Sequence, residues 1–377
     1  MVSHLLYRKF TMRILLCSFV LISSLAAQKI IVKQEGGVAV VHNPKKPVSI
    51  PNYPSKFVLN EDLSIGVESG DEDYMFSELF TLEVDDEGNI FAVDTKEECI
   101  KVFDNNGHYR GRIGQKGQGP GEIQNYGRIF FLGSYVAIID TGNNRLSFFK
   151  KNGEYVKHIP LGKYRSPDAR LDSRGYVYKF VLNFEDGPVG ELIKLDADFK
   201  LVSKITSIKL PQQVPPAELM ERIYFRVTDN DSLVWVRTFK YELNIVDKDG
   251  NLVKRIIREH EPIKVTVGRL KKEARRRYPN RPIPEEFSIP SHFPKYFPIF
   301  YYFIFDDVGR IYVCNYYREG DVYAYDVFDS EGRYFSKFTL PENEMLAVVK
   351  SGKAYTMIKE NEAGIPQVKR YKVTWEY

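Results

Sequence analysis

Cysteine is scarce in this chain, with three residues in a sequence of 377. Cys17 lies close to the N-terminus, whereas Cys99 and Cys314 are more than two hundred residues apart. Two distant cysteines cannot supply the disulfide framework that supports small exported domains. The remaining chain must therefore be stabilised by its own apolar core, and we expect both thiols to be packed and unreactive.

Net charge and long apolar runs are also limited. The formal charge is only +4, so the chain as a whole does not require a nucleic-acid partner. Beyond the first 28 residues no run is long and apolar enough for a membrane-spanning helix, which predicts that the mature chain has none. Aromatic residues are plentiful instead, at 14% of the chain, which favours strands over helices.

The N-terminus has the three-part layout of a secretory signal peptide. Its basic residues, its apolar run and its small residues are, in order, Arg8, Lys9 and Arg13; Ile14 to Leu25; and Ser24, Ala26 and Ala27. We assign residues 1–27 to a signal peptide with cleavage after Ala26, starting at Met1 or at Met12. Leu15 and Leu16 precede Cys17 where a lipoprotein needs a small residue, so the sequence predicts a periplasmic or extracellular protein without a lipid anchor.

Internal repetition is the strongest signal along the chain. Residues 85–113 and 134–159 share an Asp-Thr pair, at 94 and again at 140, and an Asn-Gly pair, at 106 and again at 152. Both pairs recur after 46 residues. Asn-Gly between alternating segments is a strong hairpin signal, so each unit is predicted to contain four strands.

The unit recurs with decreasing similarity in residues 170–208, 222–259, 299–340 and 344–375, and the last unit lacks one strand. Residues 56–65 form an unassigned strand ahead of the first unit. If this strand completes the last unit, the ring closes and no terminal blade is left exposed. The sequence therefore predicts an all-β fold, a six-bladed β-propeller of four-stranded blades spanning residues 56–377. Residues 28–55 are left as an N-terminal extension.

The pattern D-x-x-G-N-I-x-x-x-D-T…V-F-D-x-N-G…I-G-x-x-G-x-G-P-G-E resembles the NHL-repeat family, and in particular its exported bacterial six-bladed propellers. Residues 85–122 carry the resemblance best, and the later units keep only the strand rhythm and the turns. The resemblance implies a closed ring with a ligand site on one face. Some propellers are instead hydrolases or lyases with a metal in the channel.

The glycine-rich segment 114–122, GQKGQGPGE, is interpreted as a turn between blades one and two. A phosphate-binding loop needs Lys and a hydroxyl residue at its end followed by a helix, and here Glu122 follows the last glycine and the next segment is a strand. Links between blades share one face with the loops between second and third strands. We predict a ligand site on that face, or alternatively a merely solvated surface. The candidate residues are Lys96, Gln115, Lys116, Gln118, Asn143, Asn144, Arg145 and Arg237.

Residues 261–298 interrupt the repeat between blades four and five and are predicted to form a lid on the same face. Residues 268–278 suit a short basic helix that Pro279 ends. A glycan, another anionic ligand or a partner protein would suit its positive field. The alternative is a solvated helix paired with the acidic stretch 61–98. The anion patch comprises Arg269, Lys272, Arg275, Arg276, Arg277 and His292.

No constellation in the sequence indicates catalysis. The mature histidines fall mainly on predicted outer strands, and Asp94, Asp140 and Asn315 occupy only half of the equivalent strand ends around the ring. We expect the two aspartates to accept hydrogen bonds from backbone amides of nearby loops. The first interpretation is an exported, monomeric, non-catalytic binding protein with no cofactor, no metal and no nucleic acid. The alternatives are a propeller hydrolase or lyase assisted by Ca²⁺ or Zn²⁺, and an assembly subunit whose aromatic lid docks a protein.

Overall fold

The computed structural model describes residues 29–51, 53–162, 168–184, 187–213, 215–216, 219–277, 282, 288–316, 320 and 322–377. For Arg277 it describes the backbone and not the side chain. The predicted signal peptide therefore lies outside the described residues, as do Tyr278, Pro279 and Arg281. Segments rich in β-branched and aromatic residues form the strands, as their composition favours.

Strands β1 to β13 come first along the chain. They are β1 (Ile31–Glu35), β2 (Val38–Asn43), β3 (Lys56–Ile65), β4 (Leu79–Val84), β5 (Ile90–Asp94), β6 (Cys99–Phe103), β7 (Tyr109–Ile113), β8 (Tyr126–Leu132), β9 (Tyr135–Asp140), β10 (Arg145–Lys150), β11 (Tyr155–Pro160), β12 (Ala169–Leu171) and β13 (Val177–Asn183). A short 3₁₀ turn lies between β3 and β4 at Glu72–Tyr74.

The second half of the chain contains the helix and the remaining strands. They are β14 (Val189–Leu195), β15 (Leu201–Lys209), β16 (Ile223–Val227), β17 (Leu233–Arg237), β18 (Glu242–Val246), β19 (Leu252–Arg258), α1 (Val267–Arg277), β20 (Phe300–Phe305), β21 (Ile311–Asn315), β22 (Val322–Phe328), β23 (Tyr334–Pro341), β24 (Glu344–Lys350), β25 (Lys353–Ile358) and β26 (Gln367–Glu376).

The strands form six antiparallel blades, each built from four consecutive strands except the last. Blades 1 to 5 run β4–β7, β8–β11, β12–β15, β16–β19 and β20–β23, with the first strand of each innermost. In blade 6, β3 pairs with β26 from Ile65↔Val368 to Lys56↔Glu376. The predicted six-bladed propeller, closed by residues 56–65, is confirmed.

Apolar side chains from facing blades fill the spaces between them. Phe91 and Ile100 of blade 1, for example, pack with Ile129 and Ile138 of blade 2, and all four are at most 1% exposed. Cys99 and Cys314 are buried free thiols, and burial raises the pKa of Cys99 to about 11. Because a thiol with such a pKa stays protonated at neutral pH, Cys99 is the packed, unreactive group expected.

The N-terminal extension contains regular structure that adds to blade 4. β1 and β2 form a hairpin around Gly36 and Gly37, both at positive φ, and β2 pairs in parallel with β19. Asn43 anchors the hairpin, donating to the Gly332 carbonyl at 2.9 Å and accepting from the Tyr334 amide at 2.7 Å. In the sequence, the two strand-like segments on either side of Gly36 and Gly37 are the pattern that indicates a hairpin.

Candidate functional site

The ring encloses a central channel of about 2120 Å³, lined by the inner strands of all six blades. In a propeller the inner edge of each sheet faces the axis, and side chains of the inner strands extend toward the neighbouring blade or toward the channel. Charged side chains on these six strands therefore approach one another even though they are far apart in sequence.

Three arginines from consecutive blades lie along this channel, and each extends toward the next blade. Arg128 on β8 places Nε 3.3 Å from Oδ1 of Asp168. Arg170 on β12 lies over the Phe225 ring of blade 4, with Cζ 5.8 Å from the centroid. Arg226 on β16 donates from Nε to a backbone carbonyl of β20, that of Phe303, at 3.2 Å.

Two carboxyl groups lie among these arginines. Asp168 also accepts from Arg170 at 3.0 Å. The side chain of Glu83 on β4 makes no hydrogen bond to the described residues, yet it interacts electrostatically with Arg226, Arg128 and Arg170. Arg226 comes from blade 4, which is diametrically opposite blade 1, so the two side chains converge across the axis. The cluster holds three guanidinium groups against two carboxyl groups.

Burial and mutual repulsion both disfavour the charged forms of Arg170 and Arg226. Burial, followed by repulsion from Arg128 and Arg226, holds the pKa of Arg170 well below its ordinary value. Burial and repulsion from Arg128 lower the pKa of Arg226 to about 10. Burial raises the pKa of Glu83 although Arg226, Arg128, Arg170 and Lys350 oppose it. An additional anion in the channel would stabilise the charged guanidinium groups.

Sequence reasoning missed this cluster because it compared the ends of second strands and not the first strands. Arg170 and Glu83 each stand two residues before the first residue of an Asp-x-x-Gly turn, and Arg226 stands two residues before the equivalent Thr228. The backbone confirms the equivalence, since Asp85, Asp172 and Thr228 each donate to the carbonyl four residues later. An alignment of the repeat units on these turns would have placed Glu83, Arg170 and Arg226 at the same position of the first strand.

The glycine loop is the turn that the sequence predicted, and an arginine holds it closed. Arg145 donates to the carbonyls of Gln118, Gly119 and Glu122 at 2.7–3.2 Å, and its Nε lies 3.1 Å from Asp140. Loop residues 114–122 therefore meet residues 143–145 on one face of the ring. The internal contacts engage every nitrogen of the Arg145 guanidinium, so this side chain acts in the structure as a scaffold.

The other candidates of this face also contact neighbouring protein groups. Their contacts are Lys116 with Glu98, Gln115 with Glu122, Gln118 with Gln124, Asn143 with Gly117 and Asp140, Asn144 with Gly162, and Arg237 with Glu221. Lys96 is exposed, and its backbone amide donates to Asp94. Asp94 and Asp140 accept from backbone amides, as expected. Ligand binding at this face stays a prediction.

The insertion contains the expected basic helix, α1. Leu270 of the helix packs against Leu219, Val265, Phe297 and Tyr316, which places the insertion over blades 4 and 5. In the anion patch, Lys272, Arg275 and His292 are exposed, Arg269 donates to the carbonyl of Lys264, and Arg276 pairs with Glu273 and approaches Glu342 at 3.8 Å. The patch stays a prediction.

Three residues of the acidic stretch 61–98 pair with lysines outside the insertion. Asp85 and Glu87 pair with Lys151, and Asp86 pairs with Lys350. These turns join first to second strands, so they lie at the end of the ring opposite the loops that join second to third strands. The topology therefore separates these three acidic residues from the basic helix.

Among the residues the structure describes, no group of three or more histidine, cysteine or acidic side chains is arranged to hold a metal ion. No helix within the described ranges has both the length and the apolar character needed to cross a membrane.

Comparisons with known proteins address the fold. Residues 69–215 match the model of DUF5128, a family described as a 6-bladed beta-propeller. No curated protein matches the chain. A protein named as a putative exported protein from Bacteroides fragilis is similar in structure, with 11% identity, a TM-score of 0.57 and coverage of 90% of this chain and 100% of its own.

Two further solved structures are more distant. A member of the duf4221 family from Bacteroides vulgatus shares 11% identity with a TM-score of 0.52, over 85% of this chain and 99% of its own. Virginiamycin B lyase from Staphylococcus aureus shares 9% identity with a TM-score of 0.45, over 84% of this chain and 99% of its own. Together with the family match, the structures with TM-scores above 0.5 identify this chain as a six-bladed β-propeller, and they establish the fold alone.

Proposed function

We propose that this chain is an exported binding protein that holds an anionic ligand, bearing a carboxylate or a phosphate group, in its central channel. The observation that supports this function is the convergence of Arg128, Arg170 and Arg226 on the axis, where two carboxyl groups, Glu83 and Asp168, interact with all three. Export is supported by the basic, apolar and small-residue segments of residues 1–27.

Three guanidinium groups that lie close together in a partly desolvated channel repel one another, which costs free energy. Arginine presents a planar fork of donors that matches carboxylate and phosphate oxygens. Arg226 uses Nε for a carbonyl, and its two terminal nitrogens make no hydrogen bond to the described residues. A ligand anion would accept from these nitrogens and reduce the repulsion among the three guanidinium groups.

Replacement of Arg226 by Gln is expected to weaken binding of benzoate and of inorganic phosphate at least tenfold, as expected for about 1.4 kcal/mol or more lost from a charge-assisted hydrogen bond. Isothermal titration calorimetry at pH 7 measures the effect. Arg275→Gln, at an exposed position of α1, is the matched control and should leave both affinities unchanged.

The reverse ranking, with Arg275→Gln or Lys272→Gln losing affinity and Arg226→Gln retaining it, would place the anion on the basic helix and contradict the channel site. A metal-assisted hydrolase or lyase is the alternative function. Stoichiometric Ca²⁺ or Zn²⁺ in the purified protein would favour it.

Replacement of Glu83 by Gln is expected to have the opposite effect to the loss of Arg226. The pKa of Glu83 is raised from 4.5, so an ionised Glu83 repels a ligand anion at high pH and a protonated Glu83 does not. Affinity of the native chain should therefore rise as pH falls through the raised pKa. At a pH above that raised pKa the variant should bind severalfold more tightly than the native chain, and it should show no such dependence.

Benzenesulfonate suits this pH series because it stays ionised, and Asp168 does not titrate in the same interval because nearby arginines lower its pKa on balance against burial. Equal affinities of the native chain and Glu83→Gln at every pH would contradict the placement of the anion beside Glu83.

A further inference from the structure

The walls of the channel differ in chemistry around the ring. The inner strands of blades 1 to 4 carry Glu83, Arg128, Arg170 and Arg226, whereas the inner strands of blades 5 and 6 have no charged residue from 300 to 305 or from 345 to 349. These two segments read FYYFIF and MLAVV, and all of their residues except Phe300 line the channel. The channel is therefore cationic along blades 2 to 4, its cationic half, and apolar along blades 5 and 6, its apolar half.

The Tyr302 hydroxyl and the Lys350 ammonium group are already bonded within the protein. Tyr302 donates its hydroxyl to the Leu346 carbonyl at 2.8 Å and lies 2.6 Å from the Tyr325 hydroxyl. Lys350, at the end of β24, holds Asp86 at 2.6 Å and the Val84 carbonyl at 3.2 Å, on the side of blade 1. The partly exposed surface that blades 5 and 6 offer is therefore hydrocarbon, from side chains such as Met345, Ala347 and Val348.

We infer that the ligand is an amphipathic anion, with a charged head group on the arginines and an aliphatic or aromatic body against blades 5 and 6. The inference rests on the proposed function and adds the ligand class to it. A ligand that covers both halves removes apolar surface from water while its charge meets Arg170 and Arg226. A small inorganic anion would leave the apolar half hydrated.

A series of alkanoates with one head group and growing chains tests the inference on the intact propeller. Butanoate, hexanoate and octanoate are expected to bind with affinities that rise about tenfold for each two methylenes, as measured by isothermal titration calorimetry. Octylammonium, which has the same tail and the opposite charge, should not bind. A comparison of the affinities of octyl phosphate and octanoate shows whether the site prefers a phosphate or a carboxylate head group.

Two variants separate the halves of the site. Val348→Asn is expected to lower octanoate affinity about tenfold and leave butanoate affinity unchanged, whereas Arg226→Gln should weaken all three alkanoates by the same factor. Met345→Gln is a second test in the same wall if Val348→Asn does not fold. Equal affinities across the native series would overturn the inference and leave the proposed function standing, and absence of binding by every alkanoate and by octyl phosphate would overturn both.

Discussion

A chain that begins at residue 66, and so lacks β3, is expected to show no cooperative unfolding transition. β3 is the outer strand of blade 6 and joins the two ends of the chain in one sheet. Phe57 of β3 is buried, with its ring centroid 4.9 Å from that of Trp375 and 4.4 Å from that of Phe338. Its removal would expose these rings and a long strand edge together, which leaves an open ring prone to aggregation.

A chain that begins at residue 46 is the matched control, because it loses the β1–β2 hairpin and keeps β3. It should be less stable than residues 28–377 and still unfold cooperatively. Circular dichroism and tryptophan fluorescence through a urea titration measure both chains. A shortened chain, residues 66–377, that unfolds cooperatively at the same urea midpoint as residues 28–377 would show that closure does not depend on β3.

Replacement of Asp326 by Asn is expected to lower the free energy of unfolding by about 3–5 kcal/mol, the usual cost of breaking a buried ion pair. Asp326 is 3% exposed and accepts from the hydroxyls of Tyr241 and Tyr334, each at 2.6 Å. Its partner Arg258 lies 3.2 Å away with Cζ 4.8 and 4.7 Å from the centroids of the two rings. The substitution would leave Arg258, whose side chain is 14% exposed, without its countercharge and would loosen the junction of blades 4 and 5.

The exposed pair of Lys56 and Glu376 provides the comparison, with atoms 2.8 Å apart and both side chains at least half exposed. Glu376→Gln should cost less than about 1 kcal/mol, because solvent screens such pairs. Urea unfolding monitored by circular dichroism gives both free energies. If the two variants lose the same amount, the buried network does not stabilise the blade junction.

The fold was accessible from the sequence because its signals are local. Asn-Gly and Asp-x-x-Gly turns recur at regular spacing, and each Asp accepts from the amides that follow it, as Asp104 does from Asn106 and His108 at 2.9 Å. The closure by residues 56–65 followed from counting strands per unit. The β1–β2 hairpin lies outside the repeat, so no repeat comparison found it.

The site was less accessible, because its geometry depends on closure of the whole ring. Arg128 and Arg226 stand in apolar strands, and only the ring brings them together. Arg145 illustrates the converse case, since the sequence offered this polar side chain at the start of β10 as a ligand candidate and the structure shows its donors bonded to the glycine loop. A sequence does not show whether a donor is used inside the protein or offered to a ligand.

Anomalous diffraction from crystals grown with 4-iodobenzoate would test the central claim most directly, because iodine locates one end of the molecule and density for the carboxylate locates the other. We predict the carboxylate between Arg170 and Arg226, with iodine against Met345 and Val348 on the far wall. Iodine found only on the helix of residues 267–277, or on the outer surface of the ring, would contradict an anion site in the channel.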